Sequence, residues 1–123
     1  GPERPFPWEG GAAVPGFHGN FGAWRHDPVA SGRFPAGDSV HGVADLVGNG
    51  WEWTSTVFAP FAGFEPLPFY RGYSASFFDG QHLVLKGASP RTDVAFLRPS
   101  FRNWFQPFYP HVFAKFRLVR PLR

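Results

Sequence analysis

A chain of 123 residues and 13.8 kDa is one domain, long enough to bury a core and too short for two globular units. It has no cysteine, its net charge of +3 is scattered with no basic block, and no apolar run approaches the roughly 20 residues that span a bilayer. Disulfides, thiolate metal sites and a cysteine nucleophile are therefore excluded; nucleic-acid and membrane partners are not expected, and a soluble, cytoplasmic protein is.

Aromatic residues make up 20% of the chain and are interleaved with 15 Gly and 14 Pro, so the expectation is an ordered, loop-rich fold with few regular elements. Residues 1–38 carry breakers too closely spaced for a helix or long strand, yet Trp8, Phe17, Phe21 and Trp24 sit between them, which predicts a segment wrapped over the core. A short turn interrupted by Gly42, Gly48 and Gly50 leads into a predicted strand at 51–56. An aromatic loop with Pro60, Pro66 and Pro68 fills 58–69. The Asp79-Gly80 turn introduces a second predicted strand at 82–86, and the near-alternation over 112–119 predicts a third. Between these last two, residues 96–109 set Arg98, Arg102, Asn103, Trp104, Gln106 and Tyr109 among aromatics, the mixture of apolar wall and placed polar group that a small-molecule pocket uses.

Several chemistries find no support. His18, His26, His41, His82 and His111 match no metal-ligand spacing, and none of Ser74, Ser76, Ser89 and Ser100 lies in a Gly-x-Ser-x-Gly elbow. Gly48-Asn49-Gly50 lacks the Lys-Ser/Thr that a phosphate cradle needs. The same turn places Asp45 and Glu52 seven residues apart around glycines, which reads either as a calcium-holding loop or as a purely structural aromatic turn.

The run Gly42-Val43-Ala44-Asp45-Leu46-Val47-Gly48-Asn49-Gly50-Trp51-Glu52-Trp53-Thr54 resembles the signature of the formylglycine-generating-enzyme, or sulfatase-modifying-factor, superfamily. Leu85-Lys86-Gly87-Ala88-Ser89, Arg98-Pro99-Ser100-Phe101-Arg102-Asn103-Trp104-Phe105 and Phe113-Ala114-Lys115-Phe116-Arg117-Leu118-Val119-Arg120 follow in that superfamily's order. The loops at 58–64, 73–80 and 109–114 resemble those of its ergothioneine-type sulfoxide synthases. The resemblance implies an α+β class: an irregular C-type-lectin-like fold with few short strands, here as a single partial domain over 1–123.

It also implies a chemistry. The sulfoxide synthases are oxygen-dependent non-haem iron(II) oxidoreductases that join a thiol, or in cousins a selenol, donor to a histidine betaine. Their iron ligands come from an N-terminal DinB-like domain, whose His-x-x-x-His-x-Glu type of motif this chain lacks. The chain is thus expected to be the substrate-cleft portion, inactive alone, with a DinB-like domain or subunit as partner and self-association covering exposed apolar surface. By resemblance Tyr70 and Tyr73 are the candidate catalytic tyrosines, and Arg98, Arg102, Asn103, Trp104 and Phe105 line the substrate side. Phe105 stands where one branch has a substrate-binding Asp, which favours a cysteine-type donor over γ-glutamylcysteine. Asp45, Gly48, Gly50 and Glu52 match calcium positions of the formylglycine-generating branch, whose own activity needs a cysteine pair absent here. The rival expectation is a non-catalytic lectin-like module that binds a ligand or a protein.

Overall fold

The run from Gly50 to Val57 is rich in aromatic and β-branched residues and free of Pro, so it can extend and pair where its flanks cannot. In the computed structural model, which describes residues 4–69 and 75–122, it forms β1 (Gly50–Val57), the central long strand of a four-stranded sheet. The other strands are β2 (Leu83–Ala88), β3 (Asn103–Phe105) and β4 (Ala114–Lys115), in the order β3-β2-β1-β4. The β1/β2 and β2/β3 pairs are antiparallel, whereas β4 runs parallel to β1. Register is regular from Gly50↔Ala88 to Trp53↔Leu85 and then slips before Val57↔Leu83. Among the described residues the only helical pieces are single 3-10 turns at Pro35–Gly37, Ala75–Phe77 and Val94–Phe96. The helical half of the α+β expectation is therefore realised only in these turns, because Gly and Pro recur too often for a longer helix to form. The rest is loop with few short strands, as expected.

The strands predicted at 51–56 and 82–86 form with small shifts of boundary. The one predicted over 112–119 shrinks to the two residues of β4, since β1 offers a parallel edge only opposite Trp51 and Glu52. Beyond it Arg117 turns back to Glu52, and Phe116, Leu118 and Val119 stand in solvent.

Residues 4–38 pack on the sheet through Trp8 and Phe21, whereas Phe17 and Trp24, also expected over the core, stay exposed. Trp8 and Phe21 are buried with Ala88 and Leu97, and Phe6, Ala13 and Val47 pack against them. The Trp8 ring lies between Phe6 and His18, with centroids 5.0 and 4.7 Å away, and its indole N–H donates to the Ala12 carbonyl at 2.9 Å. Burial lowers the His18 pKa, and its neutral Nδ1 accepts the Val14 N–H at 3.0 Å. Wrap and sheet are joined at Asn49, whose backbone is left-handed (φ 66°) and whose side chain meets Asn20 and Val29. Gly87 interrupts β2 for a steric reason. Its φ is 89°, and a Cβ there would lie 2.8 Å from the Leu46 carbonyl oxygen.

Candidate functional site

β3 is the element that puts the predicted substrate-facing residues on display. Its pairing with β2 sets Trp104 opposite Val84 and Asn103 opposite Leu85. Trp104, half-buried, stacks on Phe58 with centroids 4.4 Å apart and planes 8° from parallel, and leans on Phe77 at 5.5 Å. Phe58 is pinned by its own N–H to the His82 carbonyl at 2.8 Å and meets Phe78 at 4.8 Å, and Phe64 closes edge-on against Phe78. The loops at 58–64 and 75–78 thus converge on Trp104 although neither belongs to a strand over those residues.

Arg102 joins the same cluster from the side. Its guanidinium lies over Phe61 at 4.0 Å and over Phe58 at 4.8 Å, and donates to the Ala59 carbonyl at 2.8 Å. This arginine holds the aromatic loop against Trp104. Neither Arg102 nor Arg98 forms a salt bridge to Asp45 or Glu52. Arg98 faces elsewhere: it donates to the Ala95 carbonyl and sits over Phe101. Asn103 turns its Oδ1 to the N–H of Trp104 at 2.9 Å, and Phe105 stacks on Tyr109 at 5.0 Å. Tyr70 and Tyr73 lie outside the described residues. The predicted set is therefore partly assembled, with Arg102, Asn103 and Trp104 together and Arg98 on a different surface.

Beside this cluster is a pair that residue spacing did not single out. His82 Nδ1 and Asp79 Oδ1 are 2.8 Å apart, and the His82 ring packs edge-on against Phe77 at 5.4 Å. Asp79 also accepts the Gln81 N–H at 2.9 Å, the geometry of an Asx turn, which is how the sequence Asp79-Gly80 announced it. The His82 hydrogen bond first and the Gln81 N–H second hold the Asp79 carboxyl below the usual carboxylate range. Such a depressed acid contributes stability that is fully present above its unfolded value of about 3.9 and lost as pH falls through its own lower pKa. A carbon-detected titration of the Asp79 carboxyl is expected to give a midpoint below that value, and His82→Ala is expected to move it upward. An unshifted midpoint in that variant would show that the pair is not formed.

The glycine turn does not fit a hard cation. Glu52, nearly buried, is paired with the Arg117 Nε and with Lys115 Nζ at 3.4 Å. Lys115 Nζ also donates to the Asp45 carbonyl at 2.6 Å, and Arg117 to the Ala44 and Asp45 carbonyls at 3.1 and 3.4 Å. The Asp45 carboxylate accepts the Gly32 N–H at 2.8 Å. The carboxylate of Glu52 and the carbonyls of Ala44 and Asp45 thus converge on two resident cations of the chain itself, where calcium was one of the two readings. Burial lowers the Lys115 pKa, and the neighbouring Glu52 charge works against that shift. Gly48 and Gly50 have steric and strand roles here: a Cβ at Gly48 would meet Asn20 O at 2.8 Å, and Gly50 opens β1.

Among the described residues no three His, Asp or Glu side chains come together in a way that could hold a metal ion, so a redox iron has no ligand set among them. Nor is any helix among them long and apolar enough to cross a membrane.

Comparison with known proteins shows what the chain is similar to. The chain is 40% identical over 119 residues to hercynine oxygenase of Mycobacterium tuberculosis, a match covering 97% of this chain and 28% of that protein. It is 39% identical over 123 residues to hercynine oxygenase of Mycolicibacterium smegmatis, and 40% identical over 108 residues to ergothioneine biosynthesis protein 1 of Neurospora crassa, of which it covers 11%. The chain thus spans little more than a quarter of the length of its mycobacterial relatives, 28% of each. Residues 8–122, nearly all of it, match the model of the sulfatase-modifying factor enzyme 1-like domain, and the chain belongs to that family.

Proposed function

We propose that the chain forms the substrate-facing wall of an oxygen-dependent sulfoxide synthase of ergothioneine biosynthesis, in which a thiol or selenol donor is joined to a histidine betaine. What supports this most is the match to a hercynine oxygenase across 97% of the chain. The geometry agrees with it in kind, because aromatic faces attract a quaternary ammonium through the ring quadrupole. In this reading the partly exposed Trp104, backed by Phe58 and Phe77, receives the trimethylammonium end, and Arg102 fixes the loop that supports it. Tyr70 or Tyr73 supplies a proton, and Phe105, which offers no carboxylate contact, favours a cysteine-type donor.

Iron would supply the oxygen chemistry from a DinB-like domain or subunit, with this chain as a partial domain. The aromatic side chains left in solvent, with Phe61 70%, Phe108 77% and Phe116 74% exposed, favour such a partner or a second copy of the chain over a free surface. The same exposed rings are what the alternative, a non-catalytic binding module, would use.

Titration of the chain with hercynine is expected to shift the Trp104 indole N–H resonance more than those of Trp8 and Trp51, which are buried. An unmoved Trp104 signal at saturating concentration would contradict the reading. The chain alone, given ferrous iron, dioxygen, hercynine and cysteine, is expected to form no sulfoxide. Turnover under those conditions would overturn the assignment of iron to another unit.

A further inference from the structure

A second surface of the molecule has the chemistry of a binding site and shares no side chain with the Trp104 cluster. A half-open cavity of about 320 Å³ lies between the N-terminal wrap and the end of β2, a volume at the small end of those that enclose organic ligands. Its walls are apolar, built from Phe6, Leu46, Val47, Leu97 and Pro99. Its polar groups are Lys86, Arg98 and Arg4, and no carboxylate lines it among the described residues.

Among the described residues neither Lys86 nor Arg98 forms a salt bridge. Two carboxylates near its walls, Asp45 and Glu52, are occupied elsewhere, Glu52 by Lys115 and Arg117 and Asp45 by the Gly32 N–H. Lys86 Nζ donates to the carbonyls of Pro99 and Phe101, which uses two of its three N–H groups. Arg98 gives one N–H to the Ala95 carbonyl and keeps others of its five. Burial first, and the nearby Arg102 charge second, lower the Lys86 pKa.

From the apolar walls and the two cations without a carboxylate partner, we propose that this cavity binds a small organic carboxylate, with the carboxylate between Lys86 and Arg98 and an apolar body against Leu46, Val47 and Leu97. The site does not depend on the function proposed for the Trp104 cluster.

The test uses the whole chain with methyl-labelled Leu and Val, titrated with octanoate, octan-1-ol and octyltrimethylammonium. Octanoate is expected to shift the Leu46, Val47 and Leu97 methyls and to bind about tenfold more tightly than the alcohol, the scale of one charge-assisted hydrogen bond in a half-open site. Lys86→Gln and Arg98→Gln are each expected to weaken octanoate by about fivefold or more while leaving the alcohol within about twofold. Because Lys86→Gln also strips the bonds that hold Pro99 and Phe101, Arg98→Gln decides: that side chain is exposed, and its backbone contact is confined to the neighbouring 3-10 turn. Equal binding of the alcohol or the cation, unmoved cavity methyls, or an Arg98→Gln chain that binds octanoate as tightly as the parent would each overturn the proposal.

Discussion

Asn49→Ala is expected to destabilise the chain by about 4 kcal/mol, a large part of what a domain this size has. The side chain of Asn49 accepts from Val29 N at 2.7 Å and from Asn20 Nδ2 at 3.1 Å, and donates to Val29 O at 2.8 Å. Asn20 is fully buried and Asn49 is 7% exposed, so water cannot replace these partners without opening the loop. Leaving one buried polar group unmet costs about 1–3 kcal/mol, and here several are orphaned at once. Alanine at φ 66° adds about 1 kcal/mol or more of backbone strain that Asn tolerates and Gly avoids. Asn49→Gly should therefore fall between Asn49→Ala and the parent in urea unfolding. An Asn49→Ala chain within about 1 kcal/mol of the parent would show that this joint is not what holds residues 20–29 to the start of β1.

Trp104→Ala is expected to cost about 2–3 kcal/mol, less than a fully buried aromatic because the indole is half-buried, and to abolish hercynine binding. The stability loss follows from the contacts with Phe58 and Phe77, which would face a void or solvent. Trp104→Phe separates the two effects. A phenyl ring keeps much of the stacking on Phe58, so stability should fall by only about 1 kcal/mol. The smaller ring presents less π surface to a quaternary ammonium, so hercynine affinity should fall further than stability does. Hercynine binding that survives Trp104→Ala in a folded chain would remove this residue from the proposed wall.

The strands were legible wherever a run of β-formers escaped Gly and Pro, as at 51–56 and 82–86. β3 was not, because three residues carry no periodicity and their pairing is decided by β2, not by local preference. The alternation at 112–119 was real in the sequence but had only a two-residue edge to pair with. Arg98 and Arg102 look like one pair on paper. In a loop that turns at Pro99, spacing does not fix a common face, and the structure sends one to a cavity and the other to Phe58 and Phe61. The glycine turn shows the same limit. Two carboxylates around glycines suggest a cation, and only the fold reveals that it is supplied by the chain itself, with Arg117 lying 65 residues beyond Glu52. The Asn20–Asn49 joint was hidden for a related reason: an Asn between two glycines reads as a turn, and its partners lie 20 and 29 residues back along the chain.

The most direct test of the proposed wall is a chimera in which this chain replaces the segment it matches in Mycobacterium tuberculosis hercynine oxygenase. If the account holds, the chimera binds iron and, given cysteine and dioxygen, converts hercynine to the sulfoxide, and Trp104→Ala stops it while iron remains bound. A folded, iron-loaded chimera that leaves hercynine untouched, or one that Trp104→Ala does not slow, would contradict it.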